Sequence, residues 1–159
     1  MQHPKKTVLV YVFDGFADWE SSYVCAELNQ TDGFEVRTVA PDRAPKHSKG
    51  GLAVLPDYAL DDVPEEFAAL LLIGGNPWLD PTSAPCAHTG NTLEYVQQCA
   101  PHYRGGEHFV EAQAVADSGV VTANGSAALE FAREVLRELN AKDDPDAWFK
   151  LHKDGFYPG

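Results

Sequence analysis

The run Val8-Leu9-Val10-Tyr11-Val12-Phe13 is continuously apolar and rich in β-branched residues, the pattern of a strand covered on both faces, as in a parallel sheet. Thr7 to Phe13 therefore predicts a first strand, and Asp14-Gly15 ends it. Asp18 then stands where a helix through Trp19, Tyr23 and Leu28 would take its cap, and the cluster of Asn, Asp and Gly from Asn29 to Gly33 stops that helix. Phe34 to Ala40 predicts a second strand. Lys46 to Pro56, with Gly50-Gly51 at its centre, predicts a small hairpin. Ala68 to Ile73 predicts a third buried strand, which Gly74-Gly75-Asn76-Pro77 terminates sharply.

From Asp80 to Gly90 the chain carries Pro81, Pro85 and Gly90 among small or polar residues, so this is the least regular stretch. Thr92 to Cys99 predicts a short helix. Phe109 to Ala116 and Val120 to Ala123 predict two short strands joined around Asp117 to Gly119. The clearest helix is Ala127 to Leu139: Leu129, Ala132, Val135, Leu136 and Leu139 fall on one face, and Glu130, Arg133, Glu134 and Arg137 lie away from it. Ser126 is placed to cap it, and a last helix is predicted from Asp146 to His152. No internal repeat interrupts the order. Alternating buried strands and amphipathic helices predict one α/β domain over residues 1–159, a three-layer sandwich with a mainly parallel, flavodoxin-like sheet and helices on both faces.

Composition narrows the partners. Asp and Glu number 24 against 12 Lys and Arg, a formal charge of −12, so nucleic acid and anionic membrane surfaces would be repelled. Hydrophobic residues make up 44% of the 159, enough for a sizeable core and too many for a disordered chain. No apolar run approaches the roughly 18 residues that cross a bilayer. Lys5 and Lys6 precede the first apolar run, but no small-residue cleavage site follows it, so it reads as a strand and not a signal peptide. Cys25, Cys86 and Cys99 are odd in number and lack a framework spacing, which suits a reducing compartment, by default the cytoplasm.

In a parallel sheet, ligands gather beyond the carboxyl ends of the strands, here the loops Asp14 to Glu20 and Gly74 to Trp78. Paired glycines let backbone N–H groups turn outward, so Gly74 and Gly75 are either oxyanion donors or simply a tight turn. Glu20 is either an acid of the site or a carboxylate favoured by its helix's first turn. Trp78 either walls that pocket or packs in the core, and His108 either lines the site or is an ordinary histidine. Cys86-x-His88 and Cys99-x2-His102 raise a zinc reading, although the first pair is too tightly spaced for usual motifs. Gly74-Gly75-Asn76 lacks the further glycines and the lysine of nucleotide-binding loops, so no cofactor is expected.

Asp14-Gly15-Phe16-Ala17-Asp18-Trp19-Glu20 after an apolar strand, then Leu60-Asp61-Asp62-Val63 leading into Ala69-Leu70-Leu71-Leu72-Ile73-Gly74-Gly75, resembles the ThiJ/PfpI family, which includes DJ-one. Asn91-Thr92-Leu93-Glu94-Tyr95, Tyr103 to Val110, Val121-Thr122-Ala123-Asn124-Gly125 and Glu130-Phe131-Ala132 are similar to one bacterial branch of it. The resemblance implies a sandwich related to class I glutamine amidotransferases, generally a homodimer. It also implies cysteine-dependent hydrolysis of peptide, glyoxalase or deglycase type, with Glu20 sharing a proton with the nucleophile and Gly75 donating to the oxyanion. Gly74, Asn76, Trp78 and His108 are the accompanying binding positions. The family's nucleophile sits in a strand-to-helix elbow of the form Ala-Ile-Cys, and that elbow is missing: only Thr82 to Ala87 separates Pro81 from His88, so about 30 residues of a crossover unit are gone.

Two classes of function follow. In one, Cys86 replaces the lost nucleophile and, with Glu20 and Gly75, turns over a peptide or a small carbonyl compound. Its Ala84-Pro85-Cys86-Ala87-His88 context lacks the strand and sharp turn that expose a reactive thiol. In the other, the chain is a catalytically impaired relative, or a non-catalytic stress-related, binding or dimerising scaffold. Cys25 and Cys99 read as structural. With the elbow strand absent, Val120 to Ala123 is expected to pair with Ala68 to Ile73, unless a second copy covers that edge.

Overall fold

The computed structural model describes residues 4–75 and 87–155. The chain divides into two compact units, Met1–Asn76 and Pro77–Gly159. In the first, β1 (Lys6–Tyr11) lies between β2 (Phe34–Ala40) and β6 (Ala69–Leu72), and β5 (Tyr58–Ala59) extends the sheet beyond β2. All three pairings are parallel, with Val8 opposite both Val36 and Ala69, and Tyr11 opposite Val39 and Leu72. The central position of β1 explains its unbroken apolar run: Val8, Leu9 and Val10 are all buried, as a strand covered on both faces requires. β5 has no apolar run to announce it. It is held by Asp57, whose carboxylate accepts from the Thr38 N–H at 2.8 Å and the Thr38 hydroxyl at 2.9 Å.

Helix α1 (Asp18–Gln30) returns the chain from β1 to β2. Its buried positions are Ser21, Val24 and Leu28, spaced three and four apart on one face. Trp19 and Tyr23 fall on a different stripe and stay 46% and 40% exposed. Asp18 is not the cap: Ala17 occupies that position without a side-chain bond, and the Asp18 carboxylate instead accepts the Gly50 N–H at 3.0 Å. The hairpin around Gly50-Gly51 forms as expected, from β3 (Lys46–His47) and β4 (Ala53–Val54) paired antiparallel.

In the second unit, β7 (Ala114–Asp117) and β8 (Val120–Ala123) form an antiparallel hairpin closed by Ser118 and Gly119, whose φ angles of 54° and 75° suit a primed two-residue turn. Among the described residues β8 pairs with β7 alone, so the expected pairing of Val120 to Ala123 with Ala68 to Ile73 is not formed. Phe109 to Gln113, expected as part of a strand, follows a 3₁₀ turn at Gly106–His108 and lies outside the regular strands, with an isolated bridge between Phe109 and His88.

Helix α2 (Leu93–Cys99) is capped by the Thr92 hydroxyl, which accepts from the Tyr95 N–H at 3.0 Å. Helices α3 (Ala128–Glu138) and α4 (Pro145–Asp154) pack on each other. Ala127, not Ser126, holds the α3 cap position, because the Ser126 hydroxyl donates to Asn124 Oδ1 at 2.8 Å. Glu130 and Glu134 are buried, against the expectation of a solvated face. Lys153 of α4 reaches Glu130 at 2.8 Å, and Arg133 and Arg137 hold Glu134, so both carboxylates are paired where they are buried. Among the described residues no helix is long and apolar enough to cross a membrane.

Candidate active site

β1 and β6 run parallel as neighbours, so both deliver their carboxyl ends to the same edge of the sheet. The loop after β1 carries the chain into α1, and the loop after β6 is Gly74-Gly75. The two are stitched together: the Ala17 N–H donates to the Gly74 carbonyl at 2.8 Å, and Phe16 and Gly75 form an isolated antiparallel bridge. Glu20, one turn into α1, is thereby brought against the glycines, and its Oε2 accepts from the Gly74 N–H at 2.7 Å.

The geometry explains why glycine stands at both positions. A Cβ on Gly74 would lie 2.6 Å and 2.7 Å from the two Glu20 carboxylate oxygens. One on Gly75 would lie 2.4 Å from the Phe13 ring and 3.0 Å from the Gly15 carbonyl oxygen. Close approach of a carboxylate to backbone is the requirement at Gly74, and a tight turn alone would not impose it. The Gly75 N–H donates to no acceptor among the described residues, as an oxyanion donor in a resting site would.

Burial pushes the Glu20 carboxyl above its usual range, and the Gly74 N–H and the Lys49 ammonium pull in the opposite direction without cancelling it. Lys49 belongs to the hairpin between β3 and β4. Its N–H donates to the Phe16 carbonyl at 2.9 Å, and its ammonium lies 5.9 Å from the centre of the Trp19 ring. A raised pKa means the folded state holds the proton more tightly than the unfolded state. The stability contributed by protonated Glu20 is present below the ordinary glutamate pKa and is lost as pH rises through the folded value. Urea unfolding of the parent and of Glu20→Gln across pH 4 to 7 should therefore show the variant gaining on the parent as pH rises.

Of the other residues singled out from the sequence, Cys25 belongs to this unit, and the rest belong to the second unit or lie outside the described residues. Cys25, on α1, is largely enclosed, and burial pushes its thiol up to about 11, with a smaller opposing contribution from the Ser21 hydroxyl. It is not a thiolate at neutral pH. Cys99 belongs to α2 in the second unit, where it raises the pKa of the Tyr95 phenol by hydrogen bonding. Cys86, Asn76 and Trp78 lie outside the described residues. His108 is exposed in the second unit, 3.4 Å from the carboxylate of its own neighbour Glu107. Of the residues proposed for zinc, His88 is buried, with Nε2 hydrogen-bonded to the Tyr103 hydroxyl and its ring edge-on to Phe109. Among the described residues no group of three or more His, Cys, Asp or Glu side chains could hold a metal ion. Lys49 was not legible as a neighbour of Glu20, because the hairpin that brings it there is docked through its own backbone groups, onto Phe16 and the Asp18 carboxylate, and such long-range bonds leave no mark in the local residue pattern.

A parallel sheet with a glutamate at the carboxyl edge, seated on a Gly-Gly loop, places the protein among the flavodoxin-like α/β proteins, as the solved relatives confirm. A crystal structure of a ThiJ/PfpI family protein from Bacillus anthracis superposes with a TM-score of 0.85 at 30% identity, covering 98% of this chain and 93% of that one. The DJ-1 superfamily protein Atu0886 from Agrobacterium tumefaciens gives 0.82 at 30% identity, covering 94% and 98%. The DJ-1/PfpI family model matches residues 6–88. The chain belongs to the DJ-1/PfpI family. It is also 31% identical over 191 aligned positions to a Bacillus subtilis protein named uncharacterized protease YoaZ, covering 93% of this chain and 91% of that protein. A second B. subtilis protein, named uncharacterized protease YdeA, is 30% identical over 186 positions, covering 96% and 93%.

Proposed function

We propose that this protein is a DJ-1/PfpI domain in which the acid and oxyanion half of a cysteine-hydrolase site persists while thiol catalysis is impaired. The observation that carries this reading lies within the first unit. Glu20 is seated on the Gly74 N–H at 2.7 Å, and the cysteine on the same helix, Cys25, is held protonated by burial. A general acid and an oxyanion donor do not form a covalent intermediate without a nucleophile. The alignments support the same reading: they run over 191 and 186 positions, although this chain has 159 residues, so the relatives carry residues with no counterpart here. The names of those two relatives suggest peptides as the first substrate class to test, with small carbonyl compounds and glycated groups beside them.

The test is turnover of peptide and glyoxal substrates, with iodoacetamide labelling at neutral pH, for the parent and for Cys86→Ser. Equal background rates and no fast-labelling thiol are expected. A turnover that disappears in Cys86→Ser, together with rapid modification of Cys86 in the parent, would instead establish an active hydrolase that uses Cys86 with Glu20 and Gly75. The reading also takes the protein to be a self-associating scaffold. Native mass spectrometry should then show a species of twice 17.3 kDa, whereas a monomer at every concentration would remove that part.

A further inference from the structure

The second unit carries a cavity of about 400 Å³, within the range of roughly 300–1,000 Å³ typical of small-molecule sites. We propose that it binds a neutral polyhydroxylated ligand of monosaccharide size. The reading is independent of the Glu20 site, since every residue it uses lies between Thr89 and Gly125.

Three segments of chain form the walls, and hydrogen bonds hold them to one another. The Thr89 N–H donates to Thr122 Oγ1 at 2.9 Å, and the buried Thr89 hydroxyl donates to the Ala112 carbonyl at 2.8 Å. The Asn124 N–H donates to the Gln113 carbonyl at 3.0 Å, and the Gly125 N–H donates to Asn91 Oδ1 at 2.9 Å. The backbone of the walls is thus held in place before any ligand arrives, which lowers the ordering penalty of binding.

These bonds also decide which polar groups face a ligand. Asn91 spends its carbonyl oxygen on Gly125, leaving its amide NH₂ as a donor. Gln113 accepts from Asn124 Nδ2 at 3.3 Å through Oε1 and likewise keeps its NH₂. The Glu111 carboxylate has no hydrogen-bond or ion-pair partner among the described residues and supplies a charged acceptor. Phe109 contributes an aromatic lining. A Cβ on Gly90 would stand 3.8 Å from the Phe109 ring and 3.2 Å from Val96, so glycine at that position keeps the lining uncrowded.

Two amide donors and one carboxylate acceptor beside a ring match a ligand whose hydroxyls both donate and accept and whose C–H face packs on an aromatic surface. Anionic ligands are disfavoured by Glu111 and by the net charge of −12. A simple ammonium compound would engage Glu111 and leave both amides unused.

The test uses the full chain with glucose, galactose and mannose, read by saturation-transfer NMR and calorimetry, with glucosamine as the cationic comparison. Saturable binding of at least one neutral hexose is expected, weakened about tenfold or more by Glu111→Ala and by Gln113→Ala, as loss of a charge-assisted or ligand-facing hydrogen bond predicts. Both side chains are exposed, and thermal melting checks that each variant folds. If Gln113→Ala melts early, Glu111→Ala carries the test, since Glu111 holds no structural partner. No saturable binding of any neutral hexose overturns the proposal. So does undiminished binding by Glu111→Ala, or binding of glucosamine alone, which would make Glu111 a plain cation site.

Discussion

Leu9→Ala is expected to lower folding stability by about 2–5 kcal/mol, the range for a buried leucine whose cavity its surroundings only partly refill. Leu9 is 1% exposed and sits in the central strand, opposite Arg37 of β2 on one side and Leu70 of β6 on the other. Neither neighbouring strand can collapse into the hole without breaking its ladder with β1. The lost methyl groups and the retained cavity therefore add, instead of offsetting each other. Urea denaturation followed by circular dichroism measures the effect. Leu55→Ala, at a residue 70% exposed, is the control and should stay within about 0.5 kcal/mol of the parent. Equal midpoints for the two variants would show that β1 is not the core of the sheet.

Gly75→Ala should rank second, at about 1–3 kcal/mol, the usual range for overpacking a filled site. The new methyl would meet the buried Phe13 ring at 2.4 Å and the Gly15 carbonyl at 3.0 Å. Gly15 has little room to yield: its N–H is bonded to the His47 carbonyl at 2.7 Å and its φ is 83°. Gly74→Ala offers the informative contrast, because the atoms it would strike are the ends of the flexible Glu20 side chain. There the carboxylate swings away and loses its bond to the Gly74 N–H, for about 0.5–1.5 kcal/mol of stability. The Glu20 pKa, followed by carbon NMR of its carboxyl, should change in Gly74→Ala. A Gly74→Ala variant that melts as early as Gly75→Ala would mean that the Glu20 side chain is rigidly held and not free to move.

The hydrophobic pattern was enough for elements whose signal lies within themselves. β1 is legible because a strand covered on both faces must be apolar throughout, and α2 because Thr92 stands where its own helix needs an acceptor. Residues whose state depends on a distant partner were not legible in the same way. Glu130 reads as a surface carboxylate until Lys153, 23 residues later, is folded against it, and Asp18 reads as a cap until the Gly50 hairpin claims its carboxylate. The candidate site divides along the same line. Loop position and family resemblance selected Glu20, Gly74 and Gly75, but the 2.7 Å bond between a carboxylate and a backbone N–H 54 residues away exists only in three dimensions.

From the order of residues alone, then, came the alternation of strands and helices, the acidic surface that repels polyanions, and the resemblance that implies an acid at Glu20 and a donor at Gly75. These follow from local periodicity, composition and short motifs, each complete within a few neighbouring positions. The folded chain decided the bond between Asp18 and the Gly50 hairpin, the burial that raises Glu20 and silences Cys25, and the donor-lined cavity between Thr89 and Asn124. Those depend on which groups distant in sequence come within hydrogen-bond reach and which lose their water, and no local pattern encodes either.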